Sequence, residues 1–276
     1  MSRREATGVP AGSAEIEVDG VRLAVAREGR GRPVICLHAI AHGGGDFAPL
    51  AARIKDRFEV IRLDWPGHGR SGEDREGPSP ERYAQLLAGL VARLGLDRPI
   101  LIGCSIGGAA AILYARDHPV AGLVLCDPGG LVEVDATVTR FCRLFASVFA
   151  AGERGAWWFG AVYAAYYRWL VLPVRAARDQ RRRIVAAGRE MAGQLRQAWE
   201  GFGRPAADIR AVAQGLDVPV WFAWARDDRV IPLSRCRPAI DGMKQANVTV
   251  FPGGHAAFLE QPDDFAAGFA AFAADL

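Results

Sequence analysis

Ser105 stands at the centre of Gly103-Cys104-Ser105-Ile106-Gly107, directly after the apolar run PILI and directly before the helical pattern IGGAAAILYARDH. A strand that turns sharply into a helix forces its apex residue toward strained backbone angles. Side chains two places to either side would collide, so glycine is needed there and the serine is held out at the top of the turn. The helix that follows brings its free amide N–H groups and positive dipole end to the serine oxygen, where negative charge develops in acyl transfer. Cys104 offers a thiol in the same turn, but it lies one place off the apex and is expected to point into the core.

A serine hydroxyl is a poor nucleophile at neutral pH unless an imidazole takes its proton and a carboxylate holds that imidazole in the right tautomer. The chain has five histidines to choose from. His38 closes an apolar run, His42 lies in the Gly-rich stretch HAIAHGGG, and His68 lies in PGHGRSG. His118 precedes Pro119, and His255 follows NVTVFPGG and precedes the last helical pattern. This chemistry needs neither metal nor cofactor, and none is expected.

The elements that must position these groups are legible as two patterns. EIEV and VRLAVA are separated by Asp19-Gly20, a pair that accepts the positive φ angles of a type I′ turn, and so read as an antiparallel hairpin at a sheet edge. PVICLH, EVIRLD, PILIGCS, VAGLVLCD, VPVWFAWA and NVTVFPG are short, nearly continuous apolar runs. Strands apolar on both faces belong to a parallel sheet covered by helices on both sides. Helical patterns start at Asp46, Pro80, Ile106 and Gln261, which makes the fold class α/β: a mostly parallel, doubly wound sheet of about eight strands. Residues 1–13 read as a flexible tail.

One gap breaks the rhythm. About ninety residues separate Asp127 from Val218, too many for a structureless loop. The stretch 130–212 is rich in helix formers and is expected to be a helical cap inserted after strand 6, over the carboxyl ends of the strands, where open α/β sheets bind ligands. The core is then 14–129 with 213–276. The cap holds Trp157, Trp158, Trp169 and Trp199, four of the chain's seven tryptophans, and three of its five tyrosines, Tyr163, Tyr166 and Tyr167. Such a cluster suits an apolar or aromatic acyl group. Packing inside the cap and a contact between two copies in a homodimer explain it equally well. The cap also carries thirteen arginines against seven acids, densest at Arg181-Arg182-Arg183, which reads first as a solvated face.

Composition narrows the class of partner. A net charge of +3 over 276 residues gives no reason to expect nucleic acid, which requires a concentrated basic face. No apolar run is long enough for a transmembrane helix, and the N-terminal sequence lacks the apolar core of a signal peptide. Five cysteines, an odd and scattered set with three inside apolar strand-like runs, fit a reducing compartment, so a cytoplasmic location is expected.

Four motifs in order now carry a resemblance: the strand-end His38 turn, Asp64-Trp65-Pro66-Gly67-His68-Gly69-Arg70-Ser71-Gly72, the serine turn, and Gly254-His255. Together they resemble the α/β-hydrolase fold family, in particular its capped, serine esterase-like branch, over nearly the whole chain outside the tail and the cap. The resemblance implies triad order Ser, acid, His, and hence His255 as general base. It implies Asp228 as the acid, four residues after Trp224 in WARDDRVIP. Asp127 is the alternative, one strand earlier. It implies backbone N–H groups of Ile106 and Ile40 as an oxyanion hole, with a departure: the usual His-Gly pair is here His38-Ala39. Substrate contacts are expected from His42, Trp157, Trp158, Tyr163 and Phe258.

The activity so implied is cleavage of a carboxylic ester or related acyl compound, a small-molecule substrate, through an acyl-enzyme on Ser105. Pro128-Gly129-Gly130 resembles a motif of the family's carbon-carbon bond hydrolases of ring-cleavage products, the second enzymatic reading. Against it, Ala256-Ala257-Phe258 lacks their tryptophan. Peroxide-using relatives share the triad. The departure at Ala39 motivates a third reading, a weakly catalytic ligand-binding member.

Overall fold

The computed structural model describes residues 12–276. Residues 1–11 of the expected tail lie outside them, and Ser13 already belongs to the first strand. The eight strands are β1 (Ser13–Val18), β2 (Val21–Gly29), β3 (Arg32–Leu37), β4 (Phe58–Leu63), β5 (Ile100–Cys104), β6 (Gly122–Cys126), β7 (Val220–Ala225) and β8 (Ala246–Phe251). They form one sheet in the order β1-β2-β4-β3-β5-β6-β7-β8. β1 and β2 form the edge hairpin, with Asp19 and Gly20 at φ 51° and 75° in its turn, and β2 pairs antiparallel with β4. Every other pairing is parallel. β5, β6 and β7 are buried along their entire length, which is why their sequences show apolar residues without alternation.

The helices are α1 (Ala48–Ile54), α2 (Pro80–Leu94), α3 (Ile106–Asp117), α4 (Ala136–Glu153), α5 (Phe159–Tyr166), α6 (Arg178–Ala186), α7 (Ala192–Phe202), α8 (Arg210–Gly215), α9 (Leu233–Ile240), α10 (Ala257–Glu260) and α11 (Pro262–Ala274). The run from α4 to α8 fills the long interval between β6 and β7, so that interval does hold structure of its own. α9 escapes a reading by pattern because LSRCRPAI is short and contains Pro238.

Strand order reverses at β3, which has β4 on one side and β5 on the other. At such a point the loops leaving the carboxyl ends of neighbouring strands diverge and open a crevice. His38 follows β3, Asp64 follows β4, Ser105 follows β5, Asp127 follows β6, and the Asp228 and His255 loops follow β7 and β8. Every residue singled out for chemistry in the core thus leaves the sheet at the same end.

Candidate active site

Ser105 sits between β5 and α3 at φ 52°, ψ −117°, outside the regions that side chains ordinarily occupy. Such a conformation costs about 1–3 kcal/mol and persists only where neighbours hold it. Here its N–H donates to the Cys126 carbonyl at 3.1 Å, and its own carbonyl accepts from Gly108, Ala109 and Gly129 N–H at 3.0, 3.1 and 3.0 Å. The flanking glycines are required by space. A Cβ on Gly103 would lie 2.5 Å from the Gly107 carbonyl oxygen, and one on Gly107 would lie 2.4 Å from that of Leu37. Cys104 is buried, with its thiol toward the His255 carbonyl at 3.6 Å, and burial holds its pKa well above the ordinary thiol value. It is a core residue and not a nucleophile.

Asp228 follows β7. Its Oδ1 accepts from Val230 and Ile231 N–H at 2.7 and 3.0 Å, which leaves Oδ2 to accept from His255 Nδ1 at 2.8 Å. The pair is almost fully buried. Burial by itself disfavours a charged imidazole, but the Asp228 carboxylate and its hydrogen bond outweigh that and push His255 up to about 9. Asp227 is exposed beside Arg226, so of the two adjacent aspartates Asp228 alone reaches the imidazole.

Asp127 also reaches this cluster. Ligand atoms of Asp127, Asp228 and His255 lie within 4.8 Å of one another. Asp127 sits at φ 45° and is fully buried; its Oδ1 accepts from Ala225 N–H at 2.8 Å, and its Oδ2 has no partner. Burial first, and then the neighbouring Asp228 charge, hold its carboxyl well above the usual carboxylate range. Both effects favour its neutral form behind the pair.

Glu260, at the end of α10, is the residue that fixes the His255 loop, and sequence reasoning passed over it. Its buried carboxyl accepts from Gly254 N–H at 2.6 Å and from Val174 N–H at 3.1 Å. It thereby ties the imidazole loop to the inserted segment. A Cβ on Gly254 would lie 2.3 Å from Pro173 Cδ, so the two pieces of chain meet in contact.

The loop after β3 is braced by two neutral histidines. His38 Nδ1–H donates to the Ala39 carbonyl at 2.7 Å, and its Nε2 accepts from Trp65 N–H at 2.9 Å. His68 Nδ1–H donates to the Pro66 carbonyl at 2.8 Å, and its Nε2 accepts from Ala41 N–H at 2.9 Å. Burial pushes both down to about 3, so the accepting nitrogens stay unprotonated. The departure at Ala39 causes no strain: the positive φ of this loop, 62°, falls on Ala41. Neither Ile40 N–H nor Ile106 N–H meets an acceptor among the described residues, and Ile106 is the first residue of α3, where no intrahelical partner exists.

Ser105, His255, Ile40 and His42 line one cavity of about 250 Å³ whose far walls come from the α4–α8 insertion. Those walls are Val138, Phe141 and Cys142 of α4, Tyr166, Tyr167 and Val171 where α5 runs into a π-helical turn (Tyr167–Val171), and Leu195, Trp199 and Phe202 on and at the end of α7. No hydrogen bond joins Ser105 Oγ to His255 among the described residues; contacts of this kind commonly tighten only once substrate is bound. His42 faces the cavity with its Nδ1 on Asp46, and Asp46 also accepts from Gln180 of α6.

Four expected contacts are corrected. Trp157 is 89% exposed and points to solvent, and Trp158 packs against the core outside the cavity. Tyr163 is buried one helical turn before the cavity, stacked on Phe159 at 5.4 Å between centroids. Phe258 is stacked on Phe47 at 4.3 Å beneath the site. The wall residues carry a signal that could have found them: Val138, Phe141 and Cys142, and Leu195, Trp199 and Phe202, recur at the three-to-four spacing of one helix face.

The fold and the strand-end constellation define a class, and the chain belongs to it: the profile of the alpha/beta hydrolase family matches residues 34–268. Among individual relatives, the pimeloyl-[acyl-carrier protein] methyl ester esterase of Stenotrophomonas maltophilia (strain K279a) is 30% identical over 263 residues, covering 90% of this chain and 95% of that one. Among solved structures, an esterase from Exiguobacterium antarcticum superposes with a TM-score of 0.81 at 17% identity, over 94% of this chain and 98% of the other. The enol-lactonase from Burkholderia xenovorans LB400 gives 0.78 at 19% identity, over 95% and 100%. At such identities the structures speak for the fold alone.

Proposed function

We propose that this chain is a serine hydrolase that cleaves a carboxylic ester with an apolar acyl group, with Ser105, His255 and Asp228 as catalytic triad and the insertion as a cap. One observation carries the reading: a serine at a strained strand-to-helix apex shares an apolar cavity with an imidazole whose other nitrogen is held by a buried carboxylate. The esterase relative supports the reaction class.

In the reaction, His255 Nε2 takes the Ser105 hydroxyl proton as Oγ attacks the ester carbonyl. The oxyanion sits against Ile40 and Ile106 N–H. Collapse expels the alcohol, which receives the proton from His255 and leaves Ser105 acylated. Water then attacks with His255 again as base, and the carboxylic acid departs. Asp228 stabilises the imidazolium formed at each stage. The clamp at Glu260 holds the His255 loop in place.

The test is labelling by a fluorophosphonate, followed by rates on esters of increasing acyl length and on a ring-cleavage dienoate. Wild type should label, Ser105→Ala should not, and its turnover should fall by about a thousandfold or more. Phe141→Ala and Trp199→Ala should change the relative rates along the ester series. An unlabelled wild type would point to a binding protein, and cleavage of the dienoate with no ester turnover would replace the ester reading.

A further inference from the structure

We infer that the α4–α5 face of the insertion is a docking surface for an anionic lipid bilayer. Six large apolar side chains stand exposed among the described residues, and five of them, Phe141, Leu144, Trp157, Val162 and Trp169, fall within 141–169. Scattered exposed apolar residues need no explanation, but a concentration of this kind does. Leu144, Val162 and Trp169 line a shared open apolar groove, so they lie on one face and not on opposite sides of the helices.

The charge along this stretch of chain is one-sided. Arg140, Arg143, Arg154 and Arg168 are all exposed, and the single acid between 140 and 169, Glu153, is engaged by Arg196 of α7. The Arg168 guanidinium lies 4.6 Å from the centre of the Trp169 ring, so cation and aromatic form one unit. Tryptophan and arginine side by side on an apolar helix face are the combination that settles at the headgroup level of a bilayer: the rings enter the boundary layer and the cations meet lipid phosphate. Acidic lipids strengthen this through their surface potential.

Two other occupants fit less well. A second copy meeting this face across a two-fold axis would set the same arginine rim against itself. An acidic protein would satisfy the arginines, but Trp157 is 89% exposed and protrudes alone, which the boundary layer of a bilayer accommodates without a matching pocket. The lipid face is also continuous with the catalytic cavity, because Tyr166 borders both the groove and the cavity, and Phe141 is part-exposed on the cavity wall. Docking would bring that wall against the bilayer, where apolar esters partition. This use rests on the ester reading, whereas docking itself does not.

The experiment is co-sedimentation with vesicles of phosphatidylcholine alone and of phosphatidylcholine mixed with phosphatidylglycerol, using wild type and Ser105→Ala. Both proteins should sediment with the mixed vesicles, far less with the neutral ones, and less as salt rises. Trp157→Ala with Trp169→Ala should abolish sedimentation, and Arg143→Gln or Arg168→Gln should each weaken it about fivefold. The tryptophan and arginine variants should keep wild-type melting and wild-type rates on a water-soluble ester. Failure of wild type to sediment, or binding that survives the double tryptophan variant, overturns the proposal. So does a dimer that this variant dissociates when no vesicle binding is seen. Binding by an inactive Ser105→Ala protein keeps the docking surface even if the chemistry is wrong.

Discussion

Two carboxyls approach one imidazole in this site, and their environments separate their roles. Asp228 has both oxygens engaged, by two backbone N–H groups and by His255, and in the proposed triad it serves as the anion; Asp127 is buried with one oxygen unpartnered, and burial together with the Asp228 charge favours its neutral form. Asparagine is close in shape to either residue but cannot supply charge. Asp228→Asn should therefore lower kcat/KM by about ten-thousandfold, whereas Asp127→Asn should stay within about threefold, since one neutral hydrogen-bonding group replaces another. Comparable losses from both would mean that Asp127 works ionised. The pH profile checks the same assignment from the other side. His255 must be neutral to accept the serine proton, and its pKa is pushed up to about 9, so kcat/KM should rise with pH toward that value. Removing the Asp228 charge removes the main upward push, so the residual activity of Asp228→Asn should begin to rise at lower pH; an unmoved limb would assign it to another group.

At the scale of elements, the candidate site depends on loops that the sheet delivers and other segments clamp. Glu260 holds the loop between β8 and α10 and the end of the π-helical segment at once. Glu260→Ala strands the buried Gly254 N–H, at about 1–3 kcal/mol, and the part-buried Val174 N–H at less, and releases the His255 loop from its tether. Thermal stability and kcat should fall together, kcat by about ten- to a hundredfold, while Glu260→Gln, which retains one accepting oxygen, should lie between. A fall in melting temperature with kcat intact would reduce Glu260 to a purely structural role. The strands, the hairpin turn and the serine apex were readable in the sequence because each is dictated locally, by unbroken apolar runs, by Asp19-Gly20 and by Gly103 and Gly107. The cavity wall was legible only in part. Spacing shows that Phe141 and Trp199 share faces with apolar neighbours, but which face meets the cavity depends on how α4 and α7 pack. A change of helical pitch after Tyr166 likewise set Tyr167 and Val171 on the cavity and left Tyr163 in the insertion's own core. Glu260 was invisible for a related reason, since both of its donors belong to loops whose approach no local pattern encodes.

For the molecule as a whole, the junction of β3, β4 and β5 joins chemistry to stability. The loop that offers Ile40 N–H is held by His68 through Ala41 N–H, and His38 in turn holds Trp65 N–H. Both imidazoles are buried and neutral, with pKa values pushed down to about 3 from an ordinary 6.5. Below 6.5 the unfolded chain binds protons that the folded chain refuses, so the stability these groups contribute is fully present above 6.5 and is lost as pH falls toward 3. A protonated Nε2 would also face an N–H donor where it now accepts one, so the first acid-driven loosening should strike the loop that carries Ile40. His68→Gln keeps one acceptor and one donor but cannot titrate. Melting temperatures measured across this range should drop less steeply in His68→Gln than in wild type, even if the variant starts lower at neutral pH. Parallel slopes would show that the acid sensitivity of the fold lies elsewhere, in its carboxylates, and would sever the proposed link between this pair of imidazoles and the integrity of the site.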